Sequence, residues 1–129
     1  MKEDKGFLPS KKWEYTLVIL FFAIIAVIFT WPLVLHLNNG VVGGRGYGDP
    51  LLNSWIISWD AQNIFTNPAG LFQGNILYPS RDVLAYSEHL FTLGVMAAPI
   101  CYATHNPILA YNLLIFFGFI FSAFGCYLL

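Results

Sequence analysis

The order of apolar and polar positions divides the chain into long hydrophobic runs around one polar stretch. From Thr16 the run TLVILFFAIIAVIFTWPLVL carries no charge. A hydrocarbon core of ~30 Å needs about 20 helical residues, so this run predicts a transmembrane helix over 15–37. Trp13, Tyr15 and Trp31 lie near its ends, where amphipathic aromatic rings prefer the membrane interface, and Pro32 should kink or end the helix. A cleaved signal peptide has a shorter apolar core followed by a small-x-small site. Leu35-His36-Leu37 supplies no such site, so the run reads as a retained anchor. A second apolar run predicts a short span over 89–104, tilted or broken at Pro99. Thr104-His105-Asn106-Pro107 reads as a tight turn, and a third span follows over 108–129. Gly118, Ser122 and Gly125 mark either a close-packing face or ordinary membrane-helix composition.

The composition agrees with an all-α, integral membrane protein. Hydrophobic residues make up 57% of the 129 positions and charged residues only 10%, against about 25% charged in a soluble domain. Mean hydropathy is +0.63, so lipid is the solvent for much of the chain. The net charge of −1 lacks the clustered Lys and Arg of a nucleic-acid footprint and excludes that partner. Cys101 and Cys126 fall in apolar runs and read as small buried residues rather than a disulfide or metal pair. Lys2, Lys5, Lys11 and Lys12 precede the first span, which makes 1–14 a cytoplasmic tail by the positive-inside rule. The stretch over 38–88 then lies outside, with Asp49, Asp60, Asp82 and Glu88 against Arg45 and Arg81. The chain ends in an apolar run with no Lys or Arg after it. That ending, with the packing face, predicts an N-terminal fragment of a larger multi-pass cell-membrane protein. Its expected partners are membrane lipids and the remaining transmembrane helices.

The extracytoplasmic stretch is long for a connection inside a domain, and such loops are functional or disordered. Its Trp, Leu, Ile, Phe and Tyr content argues against disorder, so it should fold on the membrane surface. Four glycines between Val41 and Gly48 let the backbone turn or approach a ligand. Asp49 reads as a helix N-cap, Pro50 as the first helical residue and Asn67-Pro68 as the stop, predicting a helix over about 50–65. Leu52, Trp55, Ile56 and Trp59 recur at helical spacing as an apolar stripe. The helix therefore reads as amphipathic and interfacial, its tryptophans facing the membrane or forming a sugar platform. Leu71 to Pro79 reads as a second short surface segment closed by a turn. Ser87 reads as the cap of the second span, with Glu88 and His89 in its first turn.

Each candidate for chemistry has a plainer reading beside it. Asp49 is a helix cap, or a general base or ligand at a metal or phosphate site. Asn53 and Asp60 project within about 40° of it around the helix. Yet Asp49 and Asp60 stand ~16 Å apart along the axis, too far to grip one small ion. Glu88 and His89 are a first-turn acid and an interfacial ring, or a pair that holds a divalent metal at the mouth of a span. Arg45 and Arg81 are solvated or headgroup-binding charges, or a bidentate phosphate clamp. His36 and His105 read as interfacial or turn residues.

The motifs fall in a fixed order: Thr30-Trp31-Pro32 after the first span, Gly48-Asp49-Pro50-Leu51-Leu52-Asn53-Ser54-Trp55, Trp59-Asp60, Asn75-Ile76-Leu77-Tyr78-Pro79, Leu84-Ala85-Tyr86-Ser87-Glu88-His89, and Asn106-Pro107-Ile108-Leu109-Ala110-Tyr111-Asn112. From Thr30 to Leu129 this resembles the N-terminal region of large bacterial multi-pass proteins similar to the GT-C class of membrane glycosyltransferases. The resemblance implies a bundle of many spans and a first extracytoplasmic loop with two juxtamembrane helices. It implies an acidic catalytic residue soon after the first span, where Asp49 sits. The donor would be a lipid-phosphate sugar, such as a polyprenyl-phosphate sugar, and Asp49 the base that strips the acceptor hydroxyl. A divalent cation, Mg or Mn, or arginines would neutralise the leaving phosphate. Glu88 and His89 are the candidates for the cation, and Arg45 and Arg81 for the phosphate. Asn53 and Asp60 are further substrate-binding candidates. Many GT-C enzymes carry Asp-x-Asp or Asp-Glu in this loop, whereas Pro50 and Leu51 follow Asp49 here. On this reading the chain alone is inactive. The competing expectation is a non-catalytic multi-pass protein, a transporter or assembly-subunit fragment. A transporter places polar or broken helices near the bilayer midplane, whereas the charges here crowd the outer surface.

Overall fold

The computed structural model describes residues 11–42, 46 and 48–129. All regular structure among the described residues is helical: α1 (Lys11–Phe29), α2 (Gly48–Thr66), α3 (Phe91–Thr104) and α4 (Pro107–Leu128). α1 stops before Trp31-Pro32, because proline lacks an N–H and disfavours helical geometry in the residue before it. Thr30 closes the end, donating its hydroxyl to the Ala26 carbonyl at 2.7 Å. A single tight turn, Leu33–Leu35, carries the chain onward.

Two helices, α1 with 19 residues and α4 with 22, are long and apolar enough to cross a membrane. Their surfaces support membrane association. Leu20, Phe21, Ile24 and Ile28 on α1 and Phe117, Phe119 and Phe121 on α4 are all exposed. A helix at the core of a soluble protein would cover such side chains, and here they need an apolar solvent. α3 is a continuous helix despite Pro99. Its 14 residues rise only ~21 Å, short of a ~30 Å hydrocarbon core. Of the two expected alternatives, tilted or broken, the break at Pro99 is absent, and the second span is short as expected.

α1 pairs with α4 through Ala26, Leu33 and Phe116, backed by Val27 and Ile120. α2 lies on α3 and α4 through Ile57, Ala97, Ala110 and Leu114. The alanines let the three backbones approach closely. Two asparagines on or beside α4 hold the exit of α1. Asn112 is fully buried and donates its amide to the carbonyls of Leu37 (2.8 Å) and Gly40 (2.7 Å). Asn106 caps α4 by accepting from the Leu109 N–H at 3.0 Å and donates to the Asn38 carbonyl at 2.9 Å. His105 takes a left-handed conformation (φ 51°) and ends α3, so the expected turn before Pro107 is present.

Other expectations need correction. Between α2 and α3 the described residues form only tight turns, Pro68–Gly70 and Val83–Tyr86, and not a second juxtamembrane α-helix. The turn closing the Leu71–Pro79 segment does form, with the Ser80 N–H donating to the Leu77 carbonyl at 3.0 Å. Gly118 and Gly125 meet nothing within 4 Å among the described residues, which leaves both readings of that face standing. Cys101 is half-buried, but Cys126 is exposed.

Candidate functional site

α2 carries three of the candidate residues. It begins at Gly48, so Asp49 lies inside the first turn rather than capping it. Pro50 is tolerated there because first-turn N–H groups have no helical partner. Asp49 is exposed and sits at the positive end of the helix dipole. Asn53 is half-buried and lies against the Tyr111 hydroxyl. The helix buries Ile57, Asp60 and Ala61. The face shared by Asp49, Asn53 and Asp60 thus turns progressively into the bundle along α2.

Asp60 is 0% exposed. Gly94 of α3 makes the room, since a Cβ there would collide with the Asp60 side chain. His89 Nε2 lies 3.2 Å from Asp60 Oδ1. The angles are not those of a hydrogen bond, so Asp60 Oδ1, Asp60 Oδ2 and His89 Nε2 are all buried without a hydrogen-bond partner among the described residues. Phe72 and Phe91 flank the imidazole, with ring centroids 4.6 and 6.1 Å away. Burial pushes the Asp60 carboxyl above the usual carboxylate range, and the charge of His89 opposes that rise.

The expected pairing of Glu88 with His89 is not the one that forms. α3 starts at Phe91, so both residues precede it, and Leu90 rather than Ser87 stands at the cap position. Glu88 is exposed while His89 turns inward to Asp60. Ser87 is extended and the residues from Glu88 to Leu90 are not helical, so neighbouring side chains need not share a face. Arg81 is exposed on the loop, away from this pair. Arg45 lies outside the described residues. Among those residues, no three His, Cys, Asp or Glu side chains converge on one point.

The tryptophan stripe packs in part against the protein's own loop. Trp55 and Trp59 stack at 5.9 Å, and the Trp59 indole donates to the Leu71 carbonyl at 3.0 Å. Gly74 packs onto the far edge of Trp55, where a Cβ would come within 2.8 Å. The indoles therefore hold the Leu71–Leu84 loop on α2, and that loop brings Phe72 to His89.

Sequence reasoning missed Gly94 and Asn112. The signal for Asn112 was an amide inside an apolar run; Gly94 offered none by itself. A cavity of about 280 Å³ lies between α2 and the α3–α4 turn, lined by Ser58, Gln62, Cys101, Tyr102 and His105 among others. It includes none of the acidic candidates. Comparisons of the chain with protein-family models, with curated proteins and with solved structures find no match. The arrangement thus offers two separate acidic centres. Asp49 is a solvated carboxylate able to accept a proton at the surface, and Asp60 is an enclosed carboxylate facing an imidazole.

Proposed function

We propose that this protein works as the donor-binding region of a GT-C-like membrane glycosyltransferase. The sugar passes from a lipid-phosphate donor to an acceptor hydroxyl at the extracytoplasmic face. The observation that carries the reading is the position of Asp49. It is exposed in the first turn of a long surface helix that follows an apolar helix able to cross a membrane. A solvated carboxylate there can take the proton of an acceptor hydroxyl as the oxygen attacks the sugar. The multi-pass arrangement in the cell membrane and the cytoplasmic N-terminus belong to the same proposal. They draw on the lysines before and at the start of α1 and on the acidic excess between the apolar helices.

A non-catalytic membrane role is the second reading. It is favoured by the exposure of Asp49, Arg81 and Glu88 on separate elements, with no shared pocket among the described residues. The test is sugar transfer from a polyprenyl-phosphate sugar by membranes containing the full-length protein. Asp49→Asn should abolish transfer without changing the amount of folded protein. Transfer by the variant at the wild-type rate would remove Asp49 from the chemistry, and no transfer by the wild type would favour the second reading.

A further inference from the structure

We propose that Asp60 and His89 together hold a divalent first-row metal ion, with Asp60 in place of the adjacent Glu88. Three buried polar atoms, Asp60 Oδ1, Asp60 Oδ2 and His89 Nε2, converge without hydrogen-bond partners. Leaving such groups unsatisfied is costly, and a bound cation removes the cost. The donor atoms are 3.2 Å apart. Ligands about 2.1 Å from one ion lie roughly 3.0 Å apart in an octahedron and 3.4 Å apart in a tetrahedron, so one ion reaches both. An imidazole beside a carboxylate selects manganese, iron or zinc over magnesium, which prefers oxygen alone.

The surroundings hold this donor pair in place. Gly94 admits the Asp60 carboxylate to the junction of α2 and α3. Phe72 and Phe91 set the plane of the imidazole. Glu88, one residue away, faces solvent and contributes nothing. Two protein donors leave coordination positions for water or for an outside oxygen ligand. Asp60 is 0% exposed, so the ligand that fits the enclosed site is water, not the phosphate of the transferase reading. The metal site itself does not depend on that reading.

The experiment is Mn²⁺ titration of the purified protein in detergent micelles, following loss of the free-ion electron paramagnetic resonance signal. Wild type and Glu88→Gln should each bind one ion. Asp60→Asn and His89→Gln should weaken binding at least tenfold while keeping the wild-type helical circular dichroism. In the wild type, proton NMR should show the His89 imidazole broadened by substoichiometric Mn²⁺, with His36 and His105 as internal controls. This measurement stands even if a variant fails to fold. Absent broadening at His89, equal binding by Asp60→Asn, or loss of binding in Glu88→Gln alone would each overturn the proposal. Metal binding without sugar transfer by the full-length protein would leave the site standing and count against the transferase reading.

Discussion

The two acidic residues of α2 occupy opposite environments on one helix. Asp49 stands in the first turn, exposed, near a glycine-rich approach. Asp60 lies three turns on, fully enclosed by α3 and the segment that carries His89. An exposed carboxylate is hydrated and costs the fold almost nothing, so it is free to do chemistry. A buried one must be compensated by a partner, a proton or a cation. Residue type and helical position are alike; the difference comes from what the neighbouring helix puts opposite.

The comparison can be broken most severely at the buried end. Ile57, one turn before Asp60 on the same face, fills the junction of α2, α3 and α4. Ile57→Ala should cost about 2–5 kcal/mol in apparent unfolding free energy, measured by denaturant titration in micelles. Gly94→Ala should cost about 1–3 kcal/mol, because the added methyl group must displace Asp60. It should also weaken Mn²⁺ binding, and unchanged stability would show that α2 and α3 pack more loosely than described. Asn106→Ala removes the α4 cap and should cost about 1 kcal/mol. At the exposed end, Asp49→Asn should change stability by less than about 1 kcal/mol, since only the dipole interaction is lost.

Acidity sharpens the same contrast. In metal-free buffer the folded protein holds the Asp60 proton to higher pH than the unfolded chain does. Its contribution to stability is therefore present at low pH and lost as pH rises through the raised value. Wild type should lose stability relative to Asp60→Asn from about pH 4 upward, as followed by unfolding at a series of pH values. Parallel curves for the two proteins would mean that the buried carboxyl is already fully compensated.

Much of the helical layout was legible in the chain. Asp49-Pro50 and Asn67-Pro68 bracket α2 to within two residues, because first-turn and pre-proline restrictions are local. The start of α4 and the turn at His105 follow from the same local rules, whereas α1 ends at Phe29, well before the expected limit at 37. The inward face of α2 was not legible. Asn53 and Asp60 belong to the polar face expected of an interfacial helix, yet they turn into the bundle, because α3 supplies Gly94 and Ala97 as a close seat. The partner of His89 was missed for a related reason. Glu88 is adjacent in sequence, whereas Asp60 reaches His89 only after α2 has docked on α3.

The Asn112 amide has a bearing on how the protein is made. Its bonds to the carbonyls of Leu37 and Gly40 join positions 75 and 72 residues apart. At roughly 5–20 residues per second, the ribosome delivers Asn112 about 4–15 seconds after those carbonyls. Throughout that interval the exit of α1 has no amide from α4 to hold it. The exit of α1 therefore acquires its final path only after α4 arrives, which makes the order of helix insertion a condition for fixing that exit.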